Sequence, residues 1–331
     1  MRSFLIPAAG FTCVFAVAVT GCSATPERSS SGAPRAAAST TSYAPYVSAT
    51  EASGTDSAGS PATYNLAFVI SDGSGCTPKW DGTDAITDPA VKSRVSALKR
   101  DGATVRVSFG GASGKELART CGSVSGLAAA YGRALDAAGS SRADFDIEGG
   151  TPADSASVAL RSRAIARLQR ERPRLKVTFT LPVMPSGLDP DSLALLESAN
   201  EYDVQVTGVN IMTMNYGESY DGDMGGYALA SAKAAHTQLM EVFGLSAADA
   251  WRGMALTSMI GVNDVAGETF TLSDAARVRK FAEDKGIAWV SMWSAFRDRP
   301  CAGGQSSRGA APDNCSGVKQ SSGAFARAFA G

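Results

Sequence analysis

The sequence predicts an α/β protein whose parallel sheet closes into a (β/α)8 barrel, the TIM-barrel fold. The first observation is a regular alternation: from Ala44 onward, short apolar or β-branched runs are followed by longer helical patterns. The second is that no further linker interrupts this alternation over about 290 residues, which favours a single domain. A doubly wound open sheet is the alternative arrangement for the same pattern.

Each element follows from its own local pattern. Eight apolar or β-branched runs are predicted strands: 46–49, 65–70, 104–109, 143–147, 176–181, 209–212, 254–256 and 287–292. Six stretches are predicted helices: 91–100, 124–138, 154–171, 192–199, 228–243 and 273–285. The connection 50–63 is rich in Ser, Gly and Thr, so the first helix is expected to be shortened or missing, unless 46–49 is a poor strand. A missing helix would expose apolar edges of the neighbouring strands.

The N-terminal region predicts export. Arg2, an apolar run over 4–19 and small residues up to Cys22 are typical of a signal peptide, and the run is short for a membrane span. Residues 19–22, Val-Thr-Gly-Cys, resemble the lipobox of bacterial lipoproteins, so Cys22 is predicted to carry a lipid. An ordinary cleaved signal with an incidental cysteine is the alternative. We therefore expect a protein anchored on the outer face of the cell membrane, or secreted.

Beyond residue 22, composition separates a tether from a domain. Residues 23–42 are rich in Ser and Ala and cannot bury enough apolar surface to fold, so they are predicted to form a disordered tether, and 43–331 the barrel. The full chain has 331 residues, 44% of them hydrophobic and 19% charged, with a net charge of -1. This composition permits a large core and shows no basic bias toward nucleic acid.

Four cysteines remain once Cys13 leaves with the signal and Cys22 is set aside. In an oxidising environment they are expected to form disulfides, for which three pairings exist. Cys301–Cys315 would close a short Gly/Ser/Pro loop, and Cys76–Cys121 would join two segments that follow predicted strands at one end of the domain, so we favour these pairs. Free thiols or metal ligands are the alternative.

The chain has one histidine, His236, inside an Ala-rich helical segment where a packed or half-exposed side chain is expected. Neither a zinc site nor a Ser-His-Asp triad can be built around it. No metal and no cofactor are predicted.

The fourth predicted strand carries a row of acids. Side chains alternate along a strand, so Asp144, Asp146 and Glu148 share one face, about 7 Å apart, while Phe145 and Ile147 point the other way. Charges that close repel unless they are protonated, paired or bound to a cation. A solvated surface strand is the alternative, and Ca²⁺ would need more oxygen ligands than one strand supplies.

Other chemically suggestive residues follow the other predicted strands. Residues 108–111, Ser-Phe-Gly-Gly, end the third strand, residues 212–216, Met-Thr-Met-Asn-Tyr, the sixth, and Trp293 the eighth. In a barrel the carboxyl ends of the strands meet at one mouth, where the chemistry of such folds is found. These motifs therefore predict one site that contains carboxylates, an amide, a phenol and an indole.

Together the motifs resemble glycoside hydrolase family 18, the chitinase family, whose D-x-x-D-x-D-x-E signature lies on the fourth strand of a (β/α)8 barrel. Residues 141–148 match its last three acids, with Ser141 in place of the first. The S-x-G-G motif of the third strand is 108–111, and the tryptophan of the eighth strand is Trp293. Residues 75–80, 211–217 and 292–298 look like an actinobacterial branch of secreted chitinases, and the resemblance runs from about 43 to 301.

The resemblance implies a retaining, substrate-assisted hydrolysis of β-1,4-linked N-acetylglucosamine in chitin or its oligosaccharides. Glu148 would protonate the glycosidic oxygen and later activate water. Asp146 would hydrogen-bond the acetamido N–H, and Asp144, deeper, would share a proton or charge with Asp146. Trp293 would form an apolar floor under the sugar, unless it is a tryptophan of the barrel core.

The expected substrate-binding residues are Trp293, Tyr216, Asn215, Met214, Met212, Ser108 and Gly110. Two of them depart from the family pattern, since Met214 occupies the slot of a tyrosine that binds the acetamido oxygen and Asn215 replaces an aspartate. An endo-β-N-acetylglucosaminidase acting on glycoprotein glycans, or a weak or inert carbohydrate-binding surface protein, are the alternative functions. We expect a monomer whose partners are N-acetylglucosamine oligosaccharides.

Overall fold

The computed structural model describes residues 41–302 and 312–331. The predicted signal peptide, the lipidation at Cys22 and nearly all of the predicted tether lie outside the described residues. The tether prediction extends slightly too far, because Thr41 donates its hydroxyl to the carbonyls of Ala282 and Ile287, and Ser42 pairs with Trp289. The folded domain therefore includes Thr41 and Ser42.

The predicted closed barrel is confirmed. Its strands are β1 in two segments, Ser42–Tyr43 and Tyr46–Ser48, then β2 Thr63–Ser71, β3 Thr104–Gly110, β4 Arg142–Asp146, β5 Lys176–Pro182, β6 Val206–Met212, β7 Met254–Met259 and β8 Trp289–Trp293. Consecutive strands pair in parallel, and the two segments of β1 pair with β8 and β2 respectively, so the ring closes. This closure excludes the open-sheet alternative.

Helices surround the ring: α1 Pro89–Leu98, α2 Val124–Ala138, α3 Ser155–Glu171, α4 Pro190–Glu201, α5 Met224–Phe243, α6 Ala247–Arg252, α7 Leu272–Lys285 and α8 Ala324–Ala330. Most begin at an Asp, Ser or Thr whose side chain accepts a backbone N–H of the first turn, as Asp88 does for α1 and Thr271 for α7. No helix in the described part of the chain is long and apolar enough to cross a membrane.

The first helix is missing, as the composition of 50–63 suggested, because residues 49–62 form turns between β1 and β2. The apolar edges are not exposed as expected, because α8, which we did not predict, packs at this place. Phe325 and Phe329 are fully buried, and the ring of Phe329 stacks on Tyr43. The carboxylate of Asp298 accepts the N–H groups of Phe325 and Ala326 and so fixes the start of α8.

Both favoured disulfides, Cys76–Cys121 and Cys301–Cys315, are present. The first joins the segment after β2 to the segment that leads into α2. The prediction for His236 is also confirmed, because the half-buried ring stacks on Trp251 and its Nε2 lies 2.8 Å from the carbonyl oxygen of Ala247.

Candidate active site

Strand β4 points its acids into the barrel. Asp144 and Asp146 are 1% and 5% exposed, and the side chain between them, Phe145, points outward and packs on Phe109 and Phe179. The alternation predicted from the sequence is therefore present. Glu148 follows the strand and is half-buried at the mouth.

Asp144, the deepest acid, is held by hydroxyl groups. Four of them donate to its carboxylate, at 2.7–2.9 Å: those of Tyr46, Ser108, Thr178 and Thr180. Four donors match the number of lone-pair sites on a carboxylate. Asp144 thus acts on Asp146 through its charge, while its own hydrogen bonds go to hydroxyls.

Asp146 and Glu148 form a hydrogen-bonded pair. Burial, followed by the charges of Glu148 and Asp144, raises the pKa of Asp146 well above its usual range. Burial and then the charge of Asp264 raise the pKa of Glu148 to about 7. The pair therefore holds a proton near neutral pH. The Oδ1 atom of Asp146 is buried and has no hydrogen-bond partner among the described residues.

An aromatic cluster forms the floor of the cleft beside these acids. Trp293, at the end of β8, is half-buried, with Phe68 stacked at 5.5 Å and Tyr46 meeting it edge-on at 5.8 Å. Trp293 lines the same cavity as Asp146 and Glu148. The indole of Trp293 therefore lines the cleft and is not enclosed in the barrel core.

The glycine pair that ends β3 makes room for the acid strand. Gly110 has φ +106°, and a Cβ built on it would lie 2.0 Å from the carbonyl oxygen of Asp146. The N–H of Gly111 donates to this oxygen at 2.9 Å. Gly110 thus supports Asp146 from behind, and Ser108 is fully buried beneath Asp144. Neither residue lines the cleft, so both predictions of direct substrate contact are corrected.

The sixth-strand motif, residues 212–216, lies partly in the cleft and partly in the core. Met212, Met214 and Asn215 line the cleft as expected. Tyr216 does not, because its ring is buried against Tyr220 and Tyr227, and its hydroxyl lies 3.4 Å from the hydroxyl of Ser231. The expected contact between Tyr216 and substrate is therefore also corrected.

Asn215 connects the sixth-strand motif to the loop after β7. It adopts φ +54°, a conformation that Asn tolerates. Its Nδ2 donates to the Oδ2 atom of Asp264 at 3.0 Å, and its Oδ1 accepts the N–H groups of Asp264 and Val265. Asp264 is thereby held at the cleft.

Half of the residues that line the cleft were not predicted from the sequence. The cleft residues that we had not assigned to the site are Tyr46, Phe68, Ala112, Thr180, Thr257 and Asp264. One signal for Asp264 was present, since it is the first carboxylate after the seventh strand. Phe68 and Tyr46 were assigned to strands, but their side chains could not be directed to the mouth without the barrel geometry.

Comparison with known proteins agrees with this architecture. No family model matches the chain. A probable bifunctional chitinase/lysozyme of Escherichia coli is 36% identical over 277 residues, which cover 78% of this chain and 31% of that protein. Endochitinase 11 of Metarhizium anisopliae is 35% identical over 279 residues, covering 78% of this chain and 53% of its own length. The chain thus spans about a third and about half of these curated relatives.

A solved structure is similar over nearly its whole length. The catalytic domain of a hyperthermophilic chitinase from Pyrococcus furiosus superposes with a TM-score of 0.76 and 30% identity, covering 87% of this chain and 93% of that one. The chain belongs to glycoside hydrolase family 18, the chitinase family.

Proposed function

We propose that the protein hydrolyses β-1,4-N-acetylglucosaminide bonds in chitin or chitooligosaccharides, with Glu148 as general acid and base. The observation that carries the proposal is the hydrogen-bonded pair of Asp146 and Glu148 beside the indole of Trp293. The chitinase names of the similar proteins support the substrate class.

The first step needs a proton donor at the glycosidic oxygen. A pKa of about 7 makes Glu148 suitable, because a general acid is most effective when its pKa lies near the working pH. After the bond breaks, the same carboxylate can take a proton from the attacking water. The apolar face of a pyranose ring packs well on an indole, so Trp293 would orient the sugar for this transfer.

The nucleophile would be the acetamido oxygen of the substrate, giving an oxazolinium ion that water then opens. Asp146 is suited to orient that group, because its buried Oδ1 lacks a partner among the described residues and can accept the acetamido N–H. The fixed charge of Asp144 beneath it would favour the positive charge that develops on the sugar ring. The acetamido oxygen would not be bound by Tyr216, which lies in the core.

The test is fluorophore release from chitobiose and chitotriose conjugates by wild type, Glu148→Gln and the control Glu218→Gln, which removes an exposed carboxylate near the mouth. We expect Glu148→Gln to lose at least about a hundredfold in rate, as removal of a general acid does, and Glu218→Gln to keep wild-type activity. If wild type is no faster than Glu148→Gln while both bind chitin, the protein is a carbohydrate-binding protein instead. Equal and substantial activity in both would refute the role of Glu148.

We also propose that Cys22 carries a lipid and that the barrel is held outside the cell as a monomer. The lipobox-like residues 19–22 and the two disulfides support an exported protein. Incorporation of labelled fatty acid that disappears in Cys22→Ala would support the anchor, and light scattering tests the monomer. The motifs at 75–80, 211–217 and 292–298 favour kinship with secreted actinobacterial chitinases.

A further inference from the structure

The end of the barrel opposite the mouth contains a basic cavity of about 200 Å³. Its lining includes four cations, Arg106, Arg142, Lys176 and Arg252, and no carboxylate. Arg252 forms an ion pair with Asp249. The other three have no ion pair within the described residues, so the cavity carries an excess of positive charge although the whole chain is nearly neutral.

Arg106, Arg142 and Lys176 lie next to one another on three neighbouring strands of the sheet. Arg142 is paired with Lys176 across β4 and β5, and the pair Val107 and Ala143 places Arg106 beside Arg142. Like charges on neighbouring strands destabilise a sheet unless something offsets them. The three positive charges therefore repel one another at this end of the barrel.

Arg106 is the most enclosed of the three. It is 6% exposed, its guanidinium lies 4.3 Å from the ring centre of Trp289, and one of its five N–H donors reaches Asn65 Oδ1 at 2.6 Å. No other hydrogen bond of Arg106 is present in the described part of the chain. No atom of Arg106 is among the fully buried polar atoms without a partner, so its remaining donors open onto the cavity and can meet an acceptor that the protein does not supply.

The acids of the barrel do not fill this role. Asp144 is on the neighbouring strand β4, two residues beyond the level of Arg106, and its oxygens already accept four hydroxyls. Burial lowers the pKa of Arg106 to about 10, while the charge of Asp144 acts in the opposite direction and Arg142 adds a smaller lowering, so the guanidinium remains charged at neutral pH. The positive charge is therefore available to a ligand.

We propose that this cavity binds a phosphate group, free or on a phospholipid headgroup. A phosphate oxygen pair matches the planar fork of a guanidinium, and further oxygens can meet the second arginine and the lysine. Ser42, where the chain enters the barrel from its N-terminal segment, lies on the rim of the same cavity. This cavity is thus at the end of the barrel where Ser42 begins the first strand, and the cleft opens at the other end.

The test compares wild type with the double variant Arg142→Gln/Lys176→Gln and with the control Arg167→Gln/Lys280→Gln, which removes two cations from exposed helix surfaces. Calorimetric titration with sodium phosphate is run against sodium chloride of equal ionic strength. We expect saturable binding by wild type and the control, and at least tenfold weaker binding by the double variant. Hydrolytic activity should stay unchanged in both variants, so the result is independent of the proposed function.

A second arm identifies the source of the phosphate. The Cys22→Ala chain, which cannot carry a lipid there, is mixed with vesicles of phosphatidylglycerol and phosphatidylcholine or of phosphatidylcholine alone. Binding to the anionic vesicles that Arg142→Gln/Lys176→Gln abolishes supports a lipid headgroup, whereas binding of inorganic phosphate without vesicle binding supports a free phosphate. Absence of both, or equal loss in the control, overturns the proposal.

Discussion

Replacement of Glu148 by glutamine should stabilise the fold at neutral pH. The folded protein holds a proton on this carboxyl at pH values where the unfolded chain has released it. Because the folded state then binds more protons, the free energy of unfolding falls as pH rises through this window. Because glutamine does not titrate, the variant does not lose this unfolding free energy as pH rises.

The size of the effect follows from the shift of Glu148. Its pKa moves from 4.5 to about 7 on folding. At about 1.4 kcal/mol per unit, the full shift corresponds to about 3–4 kcal/mol. Asp146 shares the proton, so about 3–4 kcal/mol is an upper bound for Glu148 alone. The variant should match wild type near pH 4 and exceed it by about 1–3 kcal/mol above about pH 7.

Urea unfolding of wild type, Glu148→Gln and Glu218→Gln between about pH 4 and pH 8 measures this difference. Glu218 is an exposed carboxylate near the same mouth and controls for the loss of one charge. Parallel curves of unfolding free energy for wild type and Glu148→Gln would refute the reasoning. A variant less stable than wild type above pH 7 would refute it as well.

Three further changes have defined outcomes. Asp264→Asn should lower the pKa of Glu148 and move the alkaline limb of the pH–rate profile to lower pH. The expected movement is at most about one pH unit, because burial is the larger cause of the raised pKa. An alkaline limb at the wild-type pH would contradict this expectation. Arg161→Met removes the ion-pair partner of the buried carboxylate of Glu116 and should cost about 3–5 kcal/mol of unfolding free energy, measured by urea unfolding. A cost below about 1 kcal/mol would contradict this expectation. Serines at Cys76–Cys121 open a 45-residue loop and should cost about 4 kcal/mol of unfolding free energy, measured by urea. Reducing agent should cost wild type at least as much, because it also opens Cys301–Cys315.

The barrel could be predicted because its signal is local. Each strand is an apolar run with a helix pattern after it, and every predicted strand has its counterpart in the structure. The closing helix α8 could not be predicted in this way. Its seven residues are a short apolar stretch whose helical state depends on Asp298, on the neighbouring Phe270 and on the space left by the missing first helix.

The acid row was predictable for a similar reason, since a period of two in a strand dictates which side chains share a face. Beyond the strand end this rule stops. The positive φ of Asn215 turns the chain after Met214, so Tyr216 enters the core although its position in the motif suggested the mouth. Asp264 reaches the cleft through hydrogen bonds to Asn215, a contact across 49 residues that local patterns do not specify.

Three carboxyls in one row thus differ in burial and in the hydrogen-bond donors that they receive. Asp144 is fully buried and receives four hydroxyl donors. Asp146 is almost as buried, lacks such donors and lies between two acids, so it holds a proton. Glu148 is only half-buried at the mouth and titrates near neutrality. A tuned general acid therefore requires the inner acids as well, because neutralising Asp144 would lower the pKa of Asp146 and leave the proton less firmly held at the pair.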